Sequence, residues 1–592
     1  MRRGLADCDT NGCLLLMPQV RDALLTLVIG VTGHRDIPVE EYEALQARVV
    51  QLIQRLRRDF PDLPLLMLNP LAEGGDRIAA RAARAMSVPL FVPLPFGVED
   101  YEQDFETPAS LAEFRELLEG SEVRVLPLAP GISAEDVRQR GAARNRQYAQ
   151  LGMFISSHCQ VLLALWDGRP STALGGTGQV VDFHIANVMP EFGERDVAPN
   201  LLADDESDLV FHIACSRRLA PGGQRPLHAP ALAHWVTADG SVPEARGLPE
   251  AYQRVFSQMA AFNADTQRHW QAIQANYPRL LPADPPGPVP AGILRIERLF
   301  GAADWLALHF RQRVRLNLQA SHFAAALMGL SFIVYSDLMP RRELVVAFLG
   351  LFLLGYAVAW VGQRRQWQRK YLDYRGLSEG LRVQLYWRLA GVQVPSDGSL
   401  GYDSFLQKQD VELSWIRHAM RGTSLVQDSG ATADPRWLQW TIGNWVGDDR
   451  GAGGQLDYFR RGSERRAKAY LYTERLGRLA LLAGLGGALV LAVAGPRLDE
   501  ASQAGLVIFM GLLPLIAGIR EAYSFKKADK ELIKQFQFMA RLFASCSVRL
   551  ARASSDEERR ELLLALGRAC LEEHAEWILL HRDRPLELQG PQ

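Results

Sequence analysis

Three short segments carry residue types suited to a phosphorylated ligand. Gly30-Val31-Thr32-Gly33-His34-Arg35 sets two glycines beside an imidazole and a guanidinium. Leu71-Ala72-Glu73-Gly74-Gly75-Asp76-Arg77 places a glycine pair between two carboxylates, then an arginine. Trp166-Asp167-Gly168 is followed by Gly175-Gly176-Thr177-Gly178. Glycine reaches positive φ and lets backbone approach a ligand closely. A helix opening just afterwards offers N–H groups and a positive dipole end, which suit phosphate. His34 and Arg35 fit phosphate contact, and they equally fit a plain turn. Glu73 and Asp76 fit a sugar hydroxyl or a metal, and equally the dipole of a first helical turn. Each loop alone reads as a turn; their recurrence points to a site. None has the G-x-G-x-x-G or P-loop spacing, so a standard NAD or ATP site is not expected.

Other chemistry finds little support. The 12 histidines show no metal-ligand spacing such as H-E-x-x-H. His158, His184 and His212 read as core or surface residues, and Ser156-Ser157-His158 is no nucleophile motif. The 6 cysteines form no C-x-x-C pair, which suits a reducing cytoplasm and argues against structural zinc. No metal site and no firm cofactor is expected. With 66 basic and 67 acidic residues, no basic excess points to nucleic acid.

The elements that hold the three loops alternate strand with helix. Leu25 to Val31, Leu65 to Leu68, Val88 to Val92, Val123 to Leu126, Val161 to Leu165 and Leu209 to Ile213 read as strands. Val39 to Phe60 and roughly Val137 to Ser156 have helical spacing, and a further helix opens after Gly178. Such alternation predicts a Rossmann-like α/β domain with a mostly parallel sheet. Its ligand would bind beyond the carboxyl ends of the strands, where the glycines fall.

Beyond Leu316 the character changes. Leu344 to Val361, Leu479 to Pro496 and Ala501 to Ile519 hold no charged residue. Leu316 to Ser336 adds a fourth span, although Asn317, Gln319 and His322 lie near its start. These lengths suffice to cross a bilayer; buried core helices are the competing reading. Short tips join the spans into two hairpins, predicting an all-α membrane region of four transmembrane helices. Arg311, Arg313 and Arg315 precede the first span, and Arg364, Arg365, Arg369 and Lys370 follow the second. Arg460, Arg461, Arg465, Arg466 and Lys468 precede the third, and Lys526, Lys527 and Lys530 follow the fourth. The tips carry only Arg341, Arg342 and Arg497. This bias places both termini and the soluble domains in the cytoplasm. The two membrane units share one pattern of lead-in helix, span, tip, span and long exit helix. Gly484, Gly486 and Gly487 let backbones approach in lipid, within a hairpin or along a pore.

The expected domains are an extension at 1–24, whose apolar run is too short for a signal-peptide core, and a nucleotide-binding domain at 25–215. A linker with a helical segment follows at 216–296, then membrane units at 297–395 and 455–555 around a connector at 396–454. An amphipathic helix and tail close the chain at 556–592.

The loop motifs, with Asp100-Tyr101-Glu102-Gln103-Asp104-Phe105 and Arg144-Asn145-Arg146, resemble the SLOG superfamily over residues 25 to 215. That Rossmann-like group includes the Smf/DprA and Lonely-guy proteins. The membrane region resembles SLATT domains, two-helix transmembrane effectors found beside SLOG proteins in bacterial conflict systems. Trp577-Ile578-Leu579-Leu580-His581-Arg582-Asp583-Arg584-Pro585 looks like the ending of such proteins. The resemblance implies a nucleotide-derived small molecule as ligand, an inner-membrane location, a homo-oligomer and a membrane-permeabilising output. It also implies ligand contacts from Gly30, Thr32, Gly33, His34, Arg35, Glu73, Gly74, Gly75, Asp76, Arg77, Arg144, Asn145, Trp166, Asp167, Gly175, Gly176, Thr177, Gly178 and Asp182.

Lonely-guy phosphoribohydrolases carry P-G-G-x-G-T-x-x-E, with an arginine upstream. Here Gly175, Gly176 and Gly178 stand for the glycines, and Arg144 or Arg146 for the arginine. The proline is Leu174 and the threonine Gln179. With the acid placed at Val181, the nearest carboxylate is Asp182, one residue on and turned by about 100°. That placement favours binding over cleavage; a membrane-anchored nucleotide-processing enzyme is the alternative, and a scaffold with a decayed site a third reading.

Overall fold

Apolar runs buried on both faces make most strands of a parallel sheet, whose edge strand Glu122–Val125 is largely exposed. Leu27–Gly33 (β1), Leu65–Leu68 (β2), Leu90–Leu94 (β3), Glu122–Val125 (β4), Val161–Trp166 (β5) and Val210–Ala214 (β6) pair in parallel. Ala233–Thr237 (β7) and Gly240–Pro243 (β8) add an antiparallel hairpin, giving an eight-stranded sheet. The computed structural model describes residues 23–583 apart from 130, 172, 187, 188, 190–207, 219–224, 277, 290, 393–404, 406–412, 426–433, 448–452 and 527. The extension expected at 1–24 and the tail beyond 583 therefore lie almost wholly outside the described residues.

The strand order is β4-β3-β2-β1-β5-β6-β7-β8. The chain moves outward from β1 through β2 and β3 to β4, then returns to place β5 on the other side of β1. Gly33 registers with Leu165 there. This reversal is the topological switch point, the place beyond the strand ends where ligands of open α/β sheets bind.

The helices are Tyr42–Asp59 (α1), Gly75–Ala85 (α2), Val98–Glu102 (α3), Pro108–Leu118 (α4), Ala142–His158 (α5), Thr177–Ala186 (α6) and Glu250–Asn276 (α7). Ala291–Asp337 (α8), Arg342–Arg364 (α9), Trp367–Ala390 (α10), Ser414–Ser424 (α11), Pro435–Thr441 (α12), Gly454–Ala494 (α13), Glu500–Lys526 (α14), Asp529–Arg552 (α15) and Asp556–Asp583 (α16) follow. Two compact units result: Met1–Ala302 with Leu377–Asp434, and Ala303–Gly376 with Pro435–Gln592.

The first unit corrects the reading of residues 216 to 247 as a linker. That stretch carries β7 and β8, and Trp235 of β7 is fully buried against Phe211 at 4.6 Å between ring centroids. The unit also takes in residues far along the chain. Every residue of α11 is buried. Gln160 donates from Nε2 to His418 O at 3.0 Å and accepts the Val28 N–H at 2.6 Å, joining α11 to β1. Asn263 of α7 pairs with both backbone groups of Leu25 at 2.8 and 2.9 Å.

Four helices are long and apolar enough to cross a membrane: Gly292–Asp337, Arg342–Ala390, Gly454–Arg497 and Glu500–Arg552. Their most apolar windows are 0–11% buried, so these side chains are free to meet hydrocarbon. Two polar residues of the first span bond to backbone of the second: Asn317 Nδ2 donates to Val358 O at 2.7 Å and Ser331 Oγ to Leu344 O at 2.9 Å. Small residues bring the spans together. Gly484 abuts Pro514 and Gly487 abuts Met510 within the second hairpin, whereas Gly486 meets no neighbour. Gly329 and Gly511 take Leu515 and Ile333, so α8 and α14 join the hairpins.

Candidate functional site

β1 ends at the switch point, and the next residue is His34. Its N–H donates to Leu165 O at 3.0 Å, and its carbonyl accepts the Gly75 N–H at 2.9 Å. His34 is thereby clamped between β5 and the start of α2. Its Nε2 lies 3.1 Å from Asp167 Oδ1, the first side chain beyond β5. The first and third loops thus meet across the switch point through a histidine and a carboxylate. Burial lowers the His34 pKa, with Asp167 pulling the other way, so the imidazole is neutral at pH 7. Asp167 is fixed in turn: its Oδ1 accepts the Arg169 N–H at 3.1 Å and its carbonyl the Leu227 N–H at 2.9 Å. Trp166 Nε1 donates to Arg169 O at 2.9 Å.

Arg35 turns toward the other half of the sheet. It is 45% exposed, lies 3.8 Å from Asp104 Oδ2 and stands over the Tyr148 ring. Asp104 is the centre of this second cluster: it takes Arg144 Nη2 at 2.8 Å and the Tyr148 hydroxyl. Burial pushes the Tyr148 phenol up to about 12 and raises Tyr101 as well. The functional candidates that sequence reasoning missed are therefore Tyr101, Asp104 and Tyr148. Tyr101 and Asp104 sit in the Asp100–Phe105 segment, a recognisable motif to which no role was given.

Asp76, in the first turn of α2, is 3% exposed. Its Oδ1 has no hydrogen-bond partner. Burial pushes its carboxyl up to about 7, opposed by Arg35, the Ala72 N–H and Arg77. Glu73 and Arg77 do different work. Glu73 accepts the Ser110 hydroxyl. Arg77 donates to Ser110 O at 2.9 Å and Glu113 Oε2 at 3.0 Å beneath the Phe105 ring, which pins α4 to α2. Arg144 is likewise buried, held by Val137 O, Asp100 O and Asp104 against the Phe96 ring. Both arginines hold loops, although Arg77 Nη2 and Arg144 Nε are buried without a hydrogen-bond partner. Asn145 is exposed on α5, and Thr32 is buried within β1.

The glycines have packing reasons of their own. A Cβ on Gly33 would lie 2.8 Å from Gly75 Cα, and one on Gly74, at φ +75°, would strike His34 O. Gly30 faces Cys159 and Ile155, Gly175 faces Tyr148 and Ala149, and Gly176 and Gly178 face Ser171. These residues let loop meet loop, and Thr177 opens α6 nearly buried behind them. Replacing Gly176 by Glu would disturb the loop itself as well as any ligand.

Counted residue by residue from Gly175, the phosphoribohydrolase signature puts its acid on Asp182, so the placement at Val181 is corrected. Val181 is 2% exposed in the core behind α6, where no carboxylate fits. Asp182, the next residue along the helix, is exposed. The remaining departures are Leu174, Gln179 and an acid one methylene shorter.

The histidines set aside earlier are core groups: His184 pairs with Ser156 Oγ at 2.8 Å, His158 with Phe154 O at 2.8 Å, and His212 with Trp166 O at 2.9 Å. Among the described residues no group of three or more His, Cys, Asp or Glu side chains is placed to hold a metal ion. No protein-family model matches the chain, and no curated protein matches it.

Proposed function

We propose that this chain is a membrane effector that binds a nucleotide-derived signal in its α/β unit and answers by permeabilising or reorganising the bilayer. The observation that carries the reading is the meeting of His34 and Asp167 at the switch point, with half-exposed Arg35 alongside, in a chain that also holds four membrane-length helices. The Arg35 guanidinium at the end of β1 offers charged donors to phosphate oxygens, while His34 spends its N–H on Asp167 and holds the two loops together. The basic flanks of the spans support an inner-membrane protein with cytoplasmic soluble parts. The likeness of the loops to SLOG and of the hairpins to SLATT domains supports a role in bacterial conflict, with homo-oligomers as the active form.

Thermal melting of the full chain in detergent against a panel of nucleotides and sugar nucleotides tests the first half, because a ligand that binds only the folded state raises its stability. Ion flux from proteoliposomes with the stabilising nucleotide tests the second. Stabilisation without flux at any protein density would overturn the effector reading.

Asp182 at the signature's acid position supports a second reading, nucleotide hydrolysis. Product formation by purified protein, lost in Asp182→Asn, would establish it; binding without turnover would remove it.

A further inference from the structure

Asp76 has an environment that the fold does not explain. It is nine-tenths buried, yet its Oδ1 has no partner. The groups that face it are Arg35 from the loop after β1, Arg77 on its own helix, the Ala72 N–H and the Tyr101 phenol from α3. Neither arginine forms an ion pair with it: Arg77 directs Nη1 to Ser110 and Glu113 and leaves Nη2 unpartnered, and Arg35 leans toward Asp104. A buried carboxylate oxygen without a donor is costly. Here it lies at a helix opening on the carboxyl side of β2, beside the most exposed cation of the site.

We propose that Asp76 reads a hydroxyl donor on a ligand whose anionic group is held by Arg35, so that the site takes a phosphorylated sugar and discriminates against a bare anion. A cationic donor such as an ammonium is excluded by Arg35 and Arg77 at close quarters; a neutral hydroxyl meets no such repulsion. Arg35, long and half exposed, is the side chain that swings to admit the ligand. This inference rests on the nucleotide reading above and assigns the ribose phosphate as the part recognised.

The test uses the full chain in detergent and three probes: ribose 5-phosphate, AMP and inorganic phosphate. Wild type binds the two sugar phosphates more tightly than phosphate. Asp76→Ala loses about 10- to 100-fold in affinity for ribose 5-phosphate and AMP, as expected for a hydrogen bond to a charged group, and keeps its affinity for phosphate. Asp76→Asn, which retains the shape and a carbonyl acceptor, falls between wild type and Asp76→Ala, and melting of this variant no lower than wild type shows that the fold is intact. Equal losses on all three probes, or no loss on any, overturn the role of Asp76 while leaving nucleotide binding standing. Failure of wild type to bind any probe overturns this inference, and failure of the whole nucleotide panel overturns the reading beneath it.

Discussion

A carboxylate as deeply buried as Asp76 destabilises the chain whenever it is charged. Its folded-state value, raised from 3.8 to about 7, means that its favourable contribution is complete below about pH 4 and is lost as pH rises through 7. The interval corresponds to roughly 4 kcal/mol at most. Asp76→Asn should therefore raise the melting temperature at pH 8, with the gain shrinking at pH 5; a variant that melts lower at pH 8 would show that the carboxylate has a stabilising partner. His34 works in the opposite sense. Its lowered value makes stability complete above the ordinary histidine range and lost as pH falls through that range. The two effects overlap near neutrality, so the variant and wild type must be compared at each pH. A residue that costs stability where no fold contact needs it is the usual mark of a binding group.

At the scale of elements, β1 and α2 cross so closely that Gly33 and Gly75 touch. A Cβ on Gly75 would lie 2.9 Å from Gly33 Cα, and backbone on both sides leaves nothing to yield. Gly75→Ala should cost about 1–3 kcal/mol in unfolding experiments and loosen the clamp on His34; a neutral result would mean that the crossing can widen freely. α11 is the larger surprise. Trp415 is 1% exposed, with its ring tilted against Phe262 at 6.2 Å between centroids, so Trp415→Ala should cost about 3–5 kcal/mol. The six parallel strands, their loops and the four spans were legible because each announces itself locally, through apolar runs bounded by glycine or charge. The strand order was not legible, since alternation predicts a parallel sheet without saying which strands are neighbours. β7 and β8 hid in a stretch of turn residues. α11 reaches β1 through Gln160 and His418, 258 positions apart, a distance over which no periodicity operates. The site was half legible: His34, Arg35 and Asp167 stood out by type, whereas Asp104 and Tyr148 matter only through the fold that gathers them.

For the whole molecule, the central expectation is that action resides in the membrane. Leu353 and Leu489 are 64% and 65% exposed on their helices, as side chains facing lipid are. An arginine at either position costs about 2.5–3.5 kcal/mol on insertion scales. Leu353→Arg and Leu489→Arg should abolish depolarisation of cells while nucleotide binding by the purified chain persists. Reporters fused at residues 1 and 592 should both lie inside the cell; an external reporter at either end would overturn the orientation.

The α/β unit is interrupted in sequence by residues 303–376, which contain the first pair of spans. A ribosome releases the chain from its amino end, so these spans emerge and engage the insertion machinery before α11 has been made. Until then α5 and α7 lack the helix that packs against them. A nascent chain therefore completes the core of its α/β unit only after the first pair of spans has emerged. On the proposed reading, in which that unit senses a signal for the membrane, the order of synthesis keeps an unfinished copy silent.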